Sequence, residues 1–216
     1  MSSDLRATFL ADLRASRLLG ILRNAPDDSL SALAEVVKES GLAFLEVTMN
    51  TPGAVGQILS LRKALDGFCQ IGAGTVLTHA EAQAAYDAGA AFLVSPCFSR
   101  QVQDFADDRD LPTLPGAFTP QEIWQAHNLG ATMVKLFPAK SAGGPAYLKE
   151  LRGPFHDIPL LACGGVNANT AGEYLAAGAD ALAFGGSVFA PSRLASGEFE
   201  RVLTDLLALR SATLPH

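Results

Sequence analysis

A chain of 216 residues, 49% of them apolar, can bury one sizeable core. Its formal charge of -6 and the absence of a basic stripe argue against nucleic acid, and no apolar run approaches the ~20 residues that a membrane span needs. Cys69, Cys97 and Cys163 are odd in number and scattered, and His79, His127, His156 and His216 show no metal-ligand spacing; reduced thiols, a cytoplasmic protein and no bound metal are expected.

Residues 1–17 carry Leu5, Phe9, Leu10 and Leu13 at helical spacing, with Asp4 and Asp12 where a signal peptide would be apolar, and read as a short amphipathic helix. Apolar runs then predict strands at Leu18–Leu22, Phe44–Met49, Gln70–Gly74, Phe92–Ser95, Pro112–Pro115, Met133–Phe137, Leu160–Cys163 and Ala181–Phe184. Between them lie helical patterns, for instance Ser29–Glu39, Ala54–Ala64, Ala80–Ala88, Pro120–Asn128 and Asn169–Ala177. Thr119, Pro120 and Glu122 have the spacing of a capping box with proline at the first helical position. Near-continuous apolar strands alternating with helices imply a parallel sheet buried on both faces. No linker divides the chain, so one domain is expected over 1–216, with a C-terminal helical segment at 190–216 after the strand–helix units of 18–189.

An internal repeat separates a closed barrel from an open sheet. Gly41, Gly89, Gly130 and Gly178 each end a helical pattern and lead into an apolar strand, at steps of about two strand–helix units. That regularity fits a (β/α)8 TIM barrel with an extra N-terminal helix, and no Gly-x-Gly-x-x-Gly follows the first strand. Five residues after the four glycines stand Glu46, Val94, Lys135 and Ala183. In a barrel, alternate strands fill one interior layer, so Glu46 and Lys135 would face each other across it. A buried salt bridge is the plainer reading of this pair, but such pairs gain little over apolar residues. The sharper reading is catalytic. Met133, Val134, Leu136 and Phe137 disfavour an ammonium, a neutral amine adds to a ketone to form a Schiff base, and Glu46 would move the protons. The imine is itself the electron sink, so neither metal nor cofactor is expected.

Gly164-Gly165 follows the seventh strand and Gly185-Gly186-Ser187 the eighth, where barrels commonly build a phosphate site from backbone N–H groups and a helix N-terminus. Tight turns are the alternative. Thr75, in Gly72-Ala-Gly-Thr75, offers a hydroxyl at a strand end or simply enters a helix. Arg23, at the end of the first strand, is an anion contact or a solvated rim charge.

Leu45-Glu46-Val-Thr48, Ile71-Gly-Ala-Gly-Thr75-Val, Val94-Ser-Pro96, Pro115-Gly-Ala-Phe-Thr119-Pro120, Val134-Lys135-Leu-Phe137-Pro138-Ala and Gly164-Gly165-Val166, in this order, resemble the 2-keto-3-deoxy-6-phosphogluconate (KDPG) and 4-hydroxy-2-oxoglutarate (KHG) aldolases. The resemblance runs from about Leu18 to Phe189. It implies a class I aldolase, with Lys135 as Schiff-base residue and Glu46 as acid and base. It further implies Thr75, Pro96 and Phe137 around the pyruvate part of the substrate, where Arg23 would be the anion contact, Gly164, Gly165, Gly186 and Ser187 at its phosphate, and a homotrimer. Its substrates would be 2-dehydro-3-deoxy-6-phosphogluconate, giving pyruvate and glyceraldehyde 3-phosphate, and 4-hydroxy-2-oxoglutarate, giving pyruvate and glyoxylate. Two positions depart from the family's pattern. Cys163 stands where threonine is common, and Asn50 where many members carry the arginine that helps hold the carboxylate. Members acting on the galactonate isomer can carry asparagine there, which keeps that isomer as the alternative substrate. A phosphosugar epimerase on the same barrel would also use a Lys/Glu pair but would never trap pyruvate covalently. A non-catalytic phosphate binder would tolerate the loss of Lys135.

Overall fold

A computed structural model describes residues 5–214. The N-terminal part of the 1–17 helix and the end of the 190–216 segment therefore lie outside the described residues, as does His216. Strands form where the sequence is apolar for only a few residues between glycines and caps: β1 (Leu18–Leu22), β2 (Phe44–Thr48), β3 (Gln70–Gly74), β4 (Leu93–Val94), β5 (Thr113–Leu114), β6 (Gly116–Ala117), β7 (Val134–Leu136), β8 (Leu160–Cys163) and β9 (Ala181–Phe184). All pairings are parallel, in the order β5-β4-β3-β2-β1-β9-β8-β7-β6.

The two ends of that order are consecutive in the chain. The single fifth strand expected at Pro112–Pro115 is divided into β5 and β6 at Pro115, which has no N–H to give to a ladder. Carbonyls of Pro112 and Leu114 accept from Leu93 and Ser95 on one side, and those of Pro115 and Ala117 from Lys135 and Phe137 on the other. One stretch of chain thus bonds to both neighbours, and the nine pieces make the eight staves of a TIM barrel.

Helices surround the staves, and their starts follow local capping chemistry. Thr78 caps α4 (His79–Asp87) in a box with Glu81, and Thr119 caps α6 (Pro120–Asn128) in a box with Glu122. Asn167 caps α9 (Ala168–Ala176), accepting from the backbone N–H groups of Asn169 and Thr170. The expected helices at 80–88 and 169–177 each begin one residue earlier than the periodicity suggested, because the cap rather than the first apolar residue sets the start.

Two apolar cores result. The larger lies between the staves and the outer helices. The smaller fills the barrel and is closed at the N-terminal ends of the strands by α1 (Leu5–Ser16), whose Phe9 and Leu13 point inward. The Phe9 ring lies 5.2 Å from Phe44 and 5.0 Å from Phe92, pairs worth about 0.5–1.5 kcal/mol each beyond the area they bury. The amphipathic pattern read in the first residues is therefore a plug, which leaves the opposite end of the barrel as the open one.

Candidate active site

Glu46 occupies the middle of β2 and Lys135 the middle of β7, and both point into the barrel at 1% and 6% exposure. Lys135 Nζ stands 3.9 Å from Glu46 Oε1. That is ion-pair distance and too long for a direct hydrogen bond. The other carboxylate oxygen, Oε2, is buried and has no hydrogen-bond partner among the described residues. Burial drives the Glu46 carboxyl above its ordinary value, and the charges of Lys135 and then Arg23 oppose that rise only in part. A pair with a long contact and an orphaned oxygen is a poor structural brace, since unsatisfied buried polar atoms cost stability. It is well placed to handle a proton on a bound molecule.

Glycines make the room for it. Gly74 of β3 has no side chain where a Cβ would run into the Glu46 carboxylate. Gly116 of β6 is the register partner of Lys135, and a Cβ there would meet the carbonyl of Pro96, so Pro96 packs against the strand beside the amine. Both glycines were missed as site residues in the sequence. Their signal was a glycine inside a strand pattern, which marks close approach. The Phe137 ring centroid lies 5.3 Å from Lys135 Nζ. Cys163, expected to matter only at the phosphate end, is buried in the same interior as Lys135; burial pushes its thiol up, and the charge of Lys135 opposes that rise.

At the rim, Arg23 donates through Nη1 to Asn50 Oδ1 at 2.7 Å and through Nη2 to Thr75 Oγ1 at 3.2 Å. Thr75 stands at φ 56, a left-handed conformation costly for a β-branched residue. The two glycine loops share a cavity of about 380 Å³, lined by Gly164, Gly165, Gly186 and Ser187 together with Arg23 and Cys163. Gly164 and Gly165 hold φ of 115 and 75, which only glycine adopts freely, so this loop is shaped by its sequence. Ser187 Oγ donates to the Val166 carbonyl at 3.0 Å and ties the loops together. The α9 N-terminus gives two of its free N–H groups to its own Asn167 cap, so the glycine loop faces the cavity ahead of the helix end.

A hollow of about 420 Å³ also opens at the plugged end, beside Arg14, Arg17 and Arg210. Those guanidiniums are engaged by Asp180 and by the carbonyls of Thr213 and Ser40. Among the described residues no carboxylate–amine pair lines it.

The family model described as KDPG and KHG aldolase matches residues 10–204. This chain belongs to the KDPG and KHG aldolase family. It is 37% identical over 163 residues to the 2-dehydro-3-deoxy-phosphogluconate aldolase of Pseudomonas aeruginosa, covering 76% of this chain and 74% of that one. It is 32% identical over 192 residues to a probable 2-dehydro-3-deoxy-6-phosphogalactonate aldolase of Rhizobium meliloti, covering 88% and 90%. The solved KDPG aldolase of Legionella pneumophila, with pyruvate captured as a covalent carbinolamine, superposes with a TM-score of 0.85 at 26% identity, covering 97% and 99%. As a KDPG/KHG aldolase the chain is a carbon–carbon lyase, which sets aside both the epimerase and the non-catalytic binder. Among the described residues no cluster of His, Cys, Asp and Glu could hold a metal ion, and no helix is long and apolar enough to cross a membrane.

Proposed function

We propose that this aldolase cleaves 2-dehydro-3-deoxy-6-phosphogluconate to pyruvate and glyceraldehyde 3-phosphate, and 4-hydroxy-2-oxoglutarate to pyruvate and glyoxylate, through a Schiff base on Lys135. The observation that carries the reading is the buried Lys135–Glu46 pair, 3.9 Å apart at the open end of the barrel. The neutral amine adds to the ketone carbon, the protonated Glu46 gives its proton to the carbinolamine hydroxyl, and water leaves to give a protonated imine and the Glu46 carboxylate. Glu46 takes the proton of the C4 hydroxyl, the C3–C4 bond breaks, and its electron pair moves into the imine to give an enamine and the aldehyde. Glu46 then returns the proton to C3, and hydrolysis releases pyruvate and the free amine.

Thr75, Pro96 and Phe137 surround the pyruvate part, with Arg23 at its carboxylate and Asn50 beside Arg23. Backbone N–H groups around Gly164, Gly165, Gly186 and Ser187 receive the phosphate of the longer substrate, which suits a cavity rich in main chain. Asn50, and the galactonate aldolase among the relatives, support the galactonate isomer as second substrate. The free thiols of Cys69, Cys97 and Cys163 support a reducing, cytoplasmic setting. The half-exposed Phe118 and Trp124 on and beside α6 support association into the homotrimer, with each chain a single domain. Pyruvate release from both phosphorylated isomers and from 4-hydroxy-2-oxoglutarate tests the reading. Wild type should release it with the gluconate isomer preferred, and Lys135→Met should release none. Release by Lys135→Met at wild-type rates would overturn it.

A further inference from the structure

Arg23 is exposed, long and flexible, and a guanidinium left to itself would sweep through solvent. It is instead held at two points, by Asn50 Oδ1 from the end of β2 and by Thr75 Oγ1 from the end of β3. A guanidinium only donates, so the Asn50 side chain must turn its oxygen, not its amide N–H groups, towards Arg23. Both acceptors are neutral. Among the described residues no carboxylate lies within ion-pair distance of Arg23, so its charge is fixed in place without being cancelled. Thr75 holds its hydroxyl there from a strained backbone conformation, which a passing surface contact would not sustain. The held cation lines the glycine cavity, and its field reaches Glu46 inside the barrel.

We propose that Asn50 is a positioning residue that acts through Arg23, holding its guanidinium over the barrel mouth as the cation that receives the substrate carboxylate. The inference rests on the keto-acid reading above and deepens it. Asn50 then replaces nothing in the substrate shell. It sets the aim of a neighbour, and one neutral side chain does what a second cation would otherwise do by direct contact. An arginine at position 50 would set two guanidiniums side by side, remove the acceptor at Arg23 Nη1 and push Arg23 away.

A double-mutant cycle reads this directly, using the KM for pyruvate in the condensation direction with glyceraldehyde 3-phosphate. Asn50→Ala should raise that KM roughly tenfold, the loss of one charge-assisted hydrogen bond, with kcat changed less. Arg23→Ala should raise it further, and Asn50→Ala added to Arg23→Ala should have no additional effect. Asn50→Asp keeps the shape and the acceptor but cancels the charge, so it should also raise KM, whereas a purely structural role would leave this isosteric variant unchanged. An Asn50→Ala effect that is as large without Arg23 as with it would show Asn50 contacting substrate on its own and overturn the proposal, as would a normal KM in Asn50→Asp. Borohydride trapping at saturating pyruvate is run on every variant. With the Lys135 adduct present throughout, a failed cycle counts against the positioning role alone. Without the adduct in wild type, the keto-acid reading falls and this inference with it.

Discussion

Two layers of side chains fill the barrel, and on each strand they lie two residues apart. The layer next to α1 holds Phe44, Phe92, Met133 and Ala181, and the layer above it holds Glu46, Val94, Lys135 and Ala183. Strand, direction and neighbours are shared, so the difference lies in the side chains alone. Below, aromatic rings and the plug of Phe9 and Leu13 close the interior without a polar atom. Above, Gly74 and Gly116 withdraw bulk, an amine faces a carboxylate, and one carboxylate oxygen has no partner among the described residues. The lower layer supplies stability, and that surplus tolerates the unfavourable burial of charge in the upper one.

Exchanging single residues between these roles should separate the two properties. The largest effect is expected from Phe44→Ala, which leaves a cavity against Phe9 and Phe92 and should cost about 3–5 kcal/mol in urea unfolding, while the folded fraction still traps pyruvate. An unchanged unfolding midpoint would show that the lower layer is not the anchor. Glu46→Gln should do the reverse, lowering turnover about 10²-fold or more, some 2.7 kcal/mol of barrier, without loss of fold. Near-normal turnover would move the proton transfer to water or to another side chain.

The same variant should sharpen the comparison through pH. Burial raises Glu46 above 4.5, so between that pH and its folded value the folded chain holds a proton that the unfolded chain has released. The associated stability is full below 4.5 and is lost as pH rises through the folded value. Glu46→Gln has no such proton, so its thermal midpoint should gain on that of wild type as pH rises. The gain should widen in a Lys135→Met background, where the charge that lowers Glu46 is gone. A gap that narrows with pH would mean that the pair is a stabilising salt bridge. The smallest effect is expected at the glycine cavity. Ser187→Ala unties the loops and should reduce the preference for phosphorylated over unphosphorylated aldehyde by roughly tenfold or less, about the worth of one hydrogen bond. Equal preference in both proteins would leave Ser187 as a turn residue.

Much of this was legible in the sequence because it depends on period and spacing. Strand β1 and helices α3 (Ala54–Ala64) and α6 fall on the expected bounds, and the recurrence of Gly41, Gly89, Gly130 and Gly178 placed Glu46 opposite Lys135. What was not legible depends on where an empty space or a bond falls. Pro115 split a strand because it lacks an N–H, but whether the chain would then close the barrel is decided by neighbours on both sides. Gly74 and Gly116 read as ordinary strand glycines until the carboxylate and the Pro96 carbonyl were seen against them. Asn50 stood out in the sequence only as a departure from arginine, and the bond its oxygen accepts from Arg23 joins two strand ends that spacing does not relate. Helix periodicity gave no hint of α11 (Phe199–Ala212) beyond a general helical segment, since its buried face of Val202, Leu206 and Leu209 is short and flanked by charge.

The central claim is that Lys135 is the nucleophile and that the layer around it exists to serve that amine. Borohydride reduction in the presence of pyruvate, followed by peptide mass analysis, tests it most directly. The account predicts one reduced three-carbon adduct, on Lys135. It predicts none on Lys140 or Lys149, and none at all in Lys135→Met. An adduct on Lys140 or Lys149 in wild type, or a fully active enzyme that captures no pyruvate, would contradict it.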